Sequence, residues 1–185
     1  MKKFILILGG ARSGKSRYAV ELAKGFSKKV VFIATAAPLD REMSKRIKLH
    51  KLSRPKYWKT VEEGRDIAAA LSPLTGKYEV TLIDCLGLLI SNLLVDGFND
   101  REIGKRIKSL SNAITKLNCI TILVSNEAGC GIVPENPLAR RFRDLLGLAN
   151  QMMAKCADEV IFMQSGIPVT IKGGYIDAEN KGNNK

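Results

Sequence analysis

Short runs of consecutive apolar residues recur along the chain, separated by longer segments in which polar and apolar residues mix. The runs cover residues 4–8, 30–34, 80–83, 120–124 and 160–163. Within each run the apolar residues are nearly continuous, and β-branched residues are frequent. This pattern is typical of strands that are buried on both faces, in a parallel sheet covered by helices. The pattern predicts an α/β fold, with a mostly parallel sheet flanked by helices.

The segments between these runs are mostly long enough to hold helices. We predict helices over residues 15–24, 41–52, 63–71, 100–117 and 137–155. Asn99 or Asp100 can cap the fourth helix. Pro55 closes the second, because the residue before a proline avoids helical geometry.

The C-terminal part of the chain carries a turn signal. Ser165 and Gly166 follow the last apolar run and predict the turn of a hairpin, so residues 167–172 would add an antiparallel edge strand. A chain of 185 residues has the length of one domain. We expect a single domain over residues 1–172 and a frayed tail over residues 173–185.

A phosphate-binding motif follows the first apolar run directly. Residues 9–16 read G-G-A-R-S-G-K-S, which matches G-x-x-x-x-G-K-[ST], and the first predicted helix begins there. Glycines let backbone N–H groups converge on phosphate oxygens, and the helix N-terminus adds its positive dipole end. In this motif Lys15 reaches the β- and γ-phosphates, and Ser16 can ligate Mg²⁺. The segment predicts a site for a nucleoside triphosphate and Mg²⁺.

Two acidic residues follow apolar runs at the same predicted edge of the sheet. Asp84 closes the third run and is a candidate Walker B residue, which would hold Mg²⁺ through its water shell. The alternative is a strand-end aspartate that only caps a turn. Glu127 follows the fourth run, at the carboxyl edge where α/β proteins bind ligands, but the pattern assigns it no role.

The net charge of +12 indicates an anionic partner, which could be a nucleic acid, an acidic membrane or the phosphates of a small substrate. Residues 41–59 contain eight Lys or Arg and one acidic residue, a net charge of +7. The only histidine, His50, lies in this segment, four residues from both Arg46 and Arg54, so one helix face would carry all three. One interpretation is a solvated basic face. The other is a histidine nucleophile that attacks phosphorus while nearby cations neutralise the phosphate.

Several longer motifs together resemble one known family, the bifunctional adenosylcobinamide kinase/adenosylcobinamide-phosphate guanylyltransferases of adenosylcobalamin (vitamin B12) biosynthesis. The resemblance runs from residue 9 to about residue 172. Its motifs are G-G-A-R-S-G-K-S (9–16), I-A-T-A (33–36), R-I-x-x-H (46–50), R-P-x-x-W-x-T-x-E (54–62), S-N-E-x-G-x-G-I-V-P-E-N (125–136), R-R-F-R-D (140–144) and A-D-E-V (157–160).

The resemblance implies two reactions in sequence. A nucleoside triphosphate, ATP or GTP, first phosphorylates the aminopropanol hydroxyl of adenosylcobinamide. GMP is then taken from GTP onto a histidine and passed to the new phosphate, which gives adenosylcobinamide-GDP. The family also implies a RecA-like P-loop fold and a homotrimer.

Carried over residue by residue, the resemblance places the guanylylated histidine on His50 and the phosphate loop on residues 9–16, in which Lys15 is the second candidate catalytic residue. The residues implied to contact nucleotide are Gly9, Gly10, Ala11, Arg12, Ser13, Gly14, Lys15, Ser16, Ala34, Thr35, Ala36, Lys51, Leu52, Ser53, Arg54, Glu62 and Asp84. Of these, Ser16 and Asp84 are the candidate Mg²⁺ ligands.

Two other functions remain as alternatives. A simple small-molecule kinase would use His50 only to position phosphate. A nucleic-acid-binding P-loop protein would use the basic segment along a phosphate backbone. Aromatic residues make up only 6% of the chain and form no evident stacking platform, which argues against a nucleic-acid partner. Trp58 fits either a base-stacking or a core position.

The apolar runs are too short to span a membrane, so none is expected to do so. The four cysteines include no C-x-x-C pair, and with one histidine they indicate neither a zinc site nor a disulfide framework. Cys85, Cys119 and Cys156 lie in or beside apolar segments and are predicted to be buried reduced thiols. A cytoplasmic location follows as an expectation.

A group of polar residues near the fifth predicted helix has two interpretations. Arg140, Arg141 and Arg143, together with Asn136 and Asn150, could line a second phosphate site. They could equally decorate a helix without binding a ligand.

Overall fold

A computed structural model describes residues 1–37, 41–52 and 54–173. Within residues 41–52 six side chains lie outside that description, those of Glu42, Met43, Arg46, Leu49, His50 and Leu52. Apart from Gly173, the predicted tail lies outside the described residues.

In the described part of the chain, seven strands form one sheet in the order β3-β2-β4-β5-β1-β6-β7. The five predicted apolar runs are its five inner strands, and every neighbouring pair is parallel except β6 and β7. The α/β fold with a mostly parallel sheet is therefore confirmed. The strands are β1 (Lys3–Gly9), β2 (Val30–Ala34), β3 (Lys59–Glu62), β4 (Val80–Asp84), β5 (Ile120–Val124), β6 (Glu159–Gln164) and β7 (Ile167–Lys172).

Helices connect the strands and cover both faces of the sheet. The helices are α1 (Lys15–Phe26), α2 (Arg41–Leu52), α3 (Ile67–Leu71), α4 (Leu86–Val95), α5 (Asp100–Lys116) and α6 (Pro137–Cys156), with a 3₁₀ turn at Ser72–Leu74. The predicted bounds of α2 are those observed, and those of α1, α5 and α6 agree to within two residues. None of the helices in the described ranges is long and apolar enough to cross a membrane.

One predicted helix was too long, and two elements were not predicted. The helix expected over residues 63–71 begins only at Ile67. The Glu63 carboxylate accepts the backbone N–H groups of Arg65 and Asp66, at 2.7 and 2.9 Å, which forms a turn instead of a helix. The Asp66 side chain then caps α3. Helix α4 and strand β3 had no corresponding prediction.

Alternate residues of β1 face two different layers of helices. Phe4, Leu6 and Leu8 belong to a buried cluster with residues of α3, α4, α5 and α6, whereas Ile5 and Ile7 pack with α1. Burying one such side chain contributes about 1.5–3 kcal/mol, so both faces of the strand stabilise the fold. The result is a three-layer domain in which the loop between β1 and α1 lies at the carboxyl edge of the sheet.

The C-terminal hairpin is confirmed. Ser165 and Gly166 have φ angles of 52° and 85°, as a two-residue type I′ turn requires. Strand β7 is an edge strand and leaves Ile167, Val169 and Ile171 exposed. Because these three residues alternate along the strand, they lie on one face of it.

Candidate active site

The predicted phosphate loop connects β1 to α1. Gly9 and Gly14 have φ angles of 152° and 92°, and Arg12 between them has a φ of 55°. A Cβ atom at Gly9 would lie 2.6 Å from the carbonyl oxygen of Met163 on β6, so only glycine fits there. The loop ends where α1 begins, at Lys15, and a helix N-terminus presents unpaired N–H groups to anions.

Backbone hydrogen bonds hold this loop from two sides. The Gly9 carbonyl accepts the N–H of Glu127, which follows β5, at 2.9 Å. The Ser13 carbonyl accepts the N–H of Gly166, in the hairpin turn, at 3.1 Å. Within the loop, the N–H of Ser13 donates to the Gly10 carbonyl at 3.3 Å. The loop is thus fixed between the end of β5 and the β6–β7 turn.

Lys15 is the first residue of α1 and one of the residues that line the site. Its side chain donates to the Gly10 carbonyl at 2.6 Å, and the residue is only 7% exposed. Burial lowers the pKa of Lys15, while the neighbouring Cys85 and Asp84 act in the opposite direction. A poorly solvated cation at a helix N-terminus is well suited to bind phosphate oxygens.

Thr35 joins the end of β2 to the end of β4. Its hydroxyl accepts the N–H of Cys85 at 2.6 Å and donates to the Cys85 carbonyl at 2.8 Å. Its own N–H donates to the Asp84 carbonyl at 3.1 Å. The side chain of Thr35 is therefore occupied in fixing the backbone that carries Asp84.

A cavity of about 510 Å³ lies over these strand ends. The phosphate loop, the strand ends and α2 all contribute to it. Its lining residues are Ala11, Arg12, Ser13, Gly14, Lys15, Ser16, Arg17, Ala34, Ala36, Ile47, Lys51, Arg54, Glu62, Asp84, Cys85, Leu88, Val124 and Asn126.

Most predicted site residues that the structure describes are brought together in this lining. Gly9, Gly10 and Thr35 are described but do not belong to it, since they support the loop and the strand ends. His50 lies on α2 directly before Lys51, and its side chain, like that of Leu52, is outside the described residues. Ser53 is outside them altogether.

The α2 side of the cavity carries opposite charges in contact. Lys51 pairs with Glu62 on β3, with Nζ and Oε1 2.5 Å apart. The Arg54 guanidinium stacks 3.6 Å from the ring centroid of Phe32, and among the described residues its buried Nη1 has no hydrogen-bond partner. Burial lowers the pKa of Arg54, while Asp84 and Glu62 act in the opposite direction. This side offers cations to an anionic ligand.

Several lining residues were not predicted as site residues, namely Arg17, Ile47, Cys85, Leu88, Val124 and Asn126. Most of these are apolar or lie beside predicted residues. Asn126 is different because it is polar and lies at the end of β5, between the strands that carry the loop and Asp84. It belongs to the motif over residues 125–136, whose presence supported the family resemblance without giving Asn126 a role.

The arginines of α6 make structural contacts outside the described lining of the cavity. Arg140 donates to two carbonyl groups just before α6. Arg141 pairs with Asp100 on α5 at 2.5 Å, and Arg143 pairs with Asp144. Of the two interpretations, these contacts favour the one in which the arginines decorate the helix without binding a ligand.

Three other sequence candidates also have structural positions. Trp58 is buried in the cluster that packs against α1, which favours the core interpretation. Asn136 caps α6 by accepting the N–H groups of Leu138 and Ala139. Asn150 is buried in α6 and bonds to the residues that follow β5.

The cysteine prediction is correct for two residues and wrong for one. Cys85 and Cys119 are buried free thiols, as expected. Cys156 is exposed, because it is the last residue of α6, although its sulfur accepts the Ser111 hydroxyl of α5 at 3.4 Å. Cys130 is exposed as well.

Comparison with known proteins gives the same family as the sequence motifs. Residues 5–171 match the family described as CobU, cobinamide kinase / cobinamide phosphate guanyltransferase. The chain is 42% identical, over 180 residues, to the bifunctional adenosylcobalamin biosynthesis protein CobU of Escherichia coli and to that of Salmonella typhimurium. In each case the match covers 91% of this chain and 99% of the relative. The CobP protein of Pseudomonas aeruginosa is 42% identical over 168 residues, covering 91% of this chain and 96% of that protein.

Solved structures share the fold at low sequence identity. A Pyrococcus horikoshii protein superposes with a TM-score of 0.58 at 10% identity, covering 92% of this chain and 86% of the other. An ATPase of a bacterial type III secretion system gives a TM-score of 0.54 at 13% identity, covering 91% of this chain and 56% of the ATPase. These likenesses support a P-loop ATPase-like fold.

Proposed function

The chain belongs to the CobU family of cobinamide kinases and cobinamide phosphate guanyltransferases, and we propose that it catalyses both reactions. It first phosphorylates adenosylcobinamide with ATP or GTP. It then transfers GMP from GTP, through His50, to adenosylcobinamide phosphate and forms adenosylcobinamide-GDP. The observation that carries the proposal is the shared cavity, which brings the phosphate loop opposite the cations of the α2 side.

In the kinase reaction the substrate hydroxyl oxygen bonds to the γ-phosphorus. The bond from this phosphorus to the β–γ bridging oxygen breaks, the nucleoside diphosphate leaves, and the hydroxyl proton passes to solvent. Lys15 lies where it can neutralise charge on the β- and γ-phosphates. The protein contributes mainly position and electrostatic stabilisation to such a transfer.

The donor set of the cavity fits Mg²⁺. Ser16 and Asp84 both line it and supply a hydroxyl and a carboxylate oxygen, the hard ligands that this ion prefers. Mg²⁺ usually keeps several waters, so two protein oxygens are enough. When bound, the ion neutralises phosphate charge, while Ser16 and Asp84 hold it near the loop.

In the guanylyl reaction a ring nitrogen of His50 attacks the α-phosphorus of GTP, and pyrophosphate leaves. The adenosylcobinamide phosphate oxygen then attacks the same phosphorus, the phosphorus–nitrogen bond breaks, and the histidine is released. Lys51 directly follows His50, and Arg54 lies four residues after it, and both line the cavity. The segment that carries the histidine therefore reaches the proposed nucleotide site.

We extend the proposal to the oligomeric state and the cellular compartment of the protein. By its family resemblance the protein is a cytoplasmic homotrimer that binds small molecules and no nucleic acid. The buried thiols of Cys85 and Cys119 agree with a reducing compartment. Sedimentation of the purified protein tests the trimer.

Labelling with GTP that carries ³²P in the α-phosphate tests the guanylyl reaction. We expect acid-labile, base-stable label on the protein. His50→Ala removes it, while Lys48→Ala, an exposed change on the same helix, retains it. Label that persists in His50→Ala contradicts the nucleophile. Label that comes only from the γ-phosphate indicates a simple kinase instead.

A further inference from the structure

Asn126 lines the proposed nucleotide site, yet neither the family motifs nor the proposed reactions give it a role. In the sheet, β5 separates β4, which carries Asp84, from β1, which carries the phosphate loop. Val124 is in register with both Asp84 and Ile7. Asn126 follows two residues later and lines the cavity.

The backbone around Asn126 is fixed on two sides. The N–H of Ser125 donates to the Ile7 carbonyl at 2.8 Å, and the N–H of Glu127 bonds to the phosphate loop. On the opposite side, Asn150 of α6 donates to the Asn126 carbonyl at 2.9 Å and accepts the Ser125 hydroxyl at 2.6 Å. Because Ser125 and Asn150 are buried, water does not compete strongly for these hydrogen bonds.

The side-chain amide of Asn126 is oriented by one neighbour. The Cys85 thiol donates to Asn126 Oδ1, with sulfur and oxygen 3.7 Å apart. Burial raises the pKa of Cys85 to about 12, so the thiol keeps its proton and stays a donor. Among the described residues the Nδ2 group has no hydrogen-bond partner, and both its N–H donors are available to a ligand in the cavity.

We propose that Asn126 Nδ2 donates a hydrogen bond to a γ-phosphoryl oxygen of the bound nucleoside triphosphate. The assignment rests on the proposed function, because it requires a triphosphate in the cavity. The motif identifies the phosphate concerned, since the lysine of such a loop reaches the β- and γ-phosphates, and Lys15 lines the same cavity as Cys85 and Asn126. An uncharged donor at this position distinguishes a triphosphate from a diphosphate.

The test compares affinities for GDP and for the β,γ-imido analogue of GTP, both with Mg²⁺, by calorimetry. In Asn126→Ala we expect the affinity for the analogue to fall about tenfold, as for one hydrogen bond to a charged group, and that for GDP to change less than twofold. Asn126→Asp, which replaces the donor with a negative charge, lowers the analogue affinity further. Asn112→Ala and Asn112→Asp on the exposed face of α5 are the matched controls and leave both affinities unchanged.

The outcomes separate this assignment from the proposed function. Equal losses for GDP and analogue in both Asn126 variants, or no loss in either variant, overturn the γ-phosphoryl contact. Thermal unfolding of both variants shows whether they retain the fold. Wild-type protein that binds neither nucleotide overturns the proposed function itself, and with it the assignment.

Discussion

The two sides of the cavity are built in different ways. On the sheet side, the phosphate loop and the ends of β4 and β5 are joined to neighbouring segments by backbone hydrogen bonds. On the α2 side, the contacts to other segments around the cavity are made by side chains, namely the Lys51–Glu62 ion pair and the stacking of Arg54 on Phe32, while the backbone bond from Arg54 to Lys51 is local. The sheet side is held by backbone hydrogen bonds between segments, whereas the α2 side is basic and is held by side-chain contacts.

This difference suits two tasks in one reaction cycle, holding the phosphates and presenting the histidine to them. Moving the sheet side would break several backbone hydrogen bonds at once, and each partner left buried and unsatisfied costs about 1–3 kcal/mol. Rearranging a half-exposed ion pair costs about 0.2–1 kcal/mol. We therefore expect the phosphates to be held in one place by the sheet side. The segment that carries His50 supplies positive charge to them, since residues 41–59 hold +7 of the net charge of +12.

The largest effect expected is the protection of Cys85, which directly follows β4 on the sheet side, from alkylation. At pH 8, Cys85 should react with iodoacetamide about a thousandfold more slowly than Cys130 or Cys156, because burial raises the pKa of Cys85 to about 12 and little thiolate forms. Mass spectrometry of alkylated peptides measures the three rates. Alkylation of Cys85 within tenfold of the rate of Cys130 would show that the sheet side opens readily.

The same thiol gives a dependence of stability on pH. The pKa of Cys85 in the folded protein lies above the ordinary value of 9.0. The protonated thiol therefore makes its full contribution to the free energy of unfolding below pH 9, and this contribution is lost as the pH rises towards 12. Urea unfolding of wild type should therefore lose stability above pH 9 more steeply than Cys85→Ala. Parallel curves would argue against a buried, protonated thiol.

Removing the cation of the sheet side should give the next largest effect. Lys15→Met should slow phosphoryl transfer about 100-fold, as when one preorganised donor to a transition state is lost. Lys24→Met, in the last turn of the same helix, serves as the control, because Lys24 is exposed and pairs with Glu21, away from the phosphate loop. A change of less than threefold in Lys15→Met would refute the assigned role of the loop.

On the α2 side we expect a smaller loss. Arg54→Met should lower GTP affinity about tenfold, the value of one charge-assisted hydrogen bond, because the guanidinium lines the cavity beside Asp84. Arg106→Met is matched to it, since Arg106 also stacks on a ring, that of Phe98, at 5.3 Å. Calorimetry that gives equal losses for both variants would mean that the effect comes from stacking, not from the cavity.

The smallest effect should appear in the stability of the α2 side. Lys51→Met breaks the pair with Glu62, but both side chains are about half exposed, so the free energy of unfolding should fall by about 0.5 kcal/mol or less. Lys29→Met, which removes an exposed pair with Glu79, should behave alike in urea unfolding. A loss above about 2 kcal/mol in Lys51→Met would place that pair among the contacts that hold the fold.

The fold was predictable where burial leaves a clear pattern. Inner strands buried on both faces read as continuous apolar runs, and α5 begins at a capping box formed by Asn99 and Glu102. Strand β3 was missed because it is a four-residue edge strand with partly exposed residues. Helix α4 was missed because Leu86–Val95 is apolar on nearly all sides, which erases the helical period.

The site was predictable where a motif fixes both residue type and spacing, as in the phosphate loop. Asn126 could not be found in that way. A polar residue after a strand has no distinctive pattern, and its importance comes from the order of the strands, which places β5 between β4 and β1. At Thr35 the motif I-A-T-A predicted a ligand contact. In the structure the Thr35 hydroxyl bonds to the backbone of Cys85, a supporting role that the motif did not reveal.

The hydrogen bonds that support the phosphate loop also determine when, during synthesis of the chain, the loop is complete. Residues 9–16 emerge early from the ribosome, yet their carbonyl groups are held by the N–H groups of Glu127 and Gly166. At about 5–20 residues per second, roughly 8–30 seconds of synthesis separate the loop from the hairpin turn that completes it. A nascent chain therefore carries the nucleotide motif long before it can bind nucleotide. A chain truncated before residue 166 would retain the motif without the hydrogen bond that Gly166 donates to Ser13.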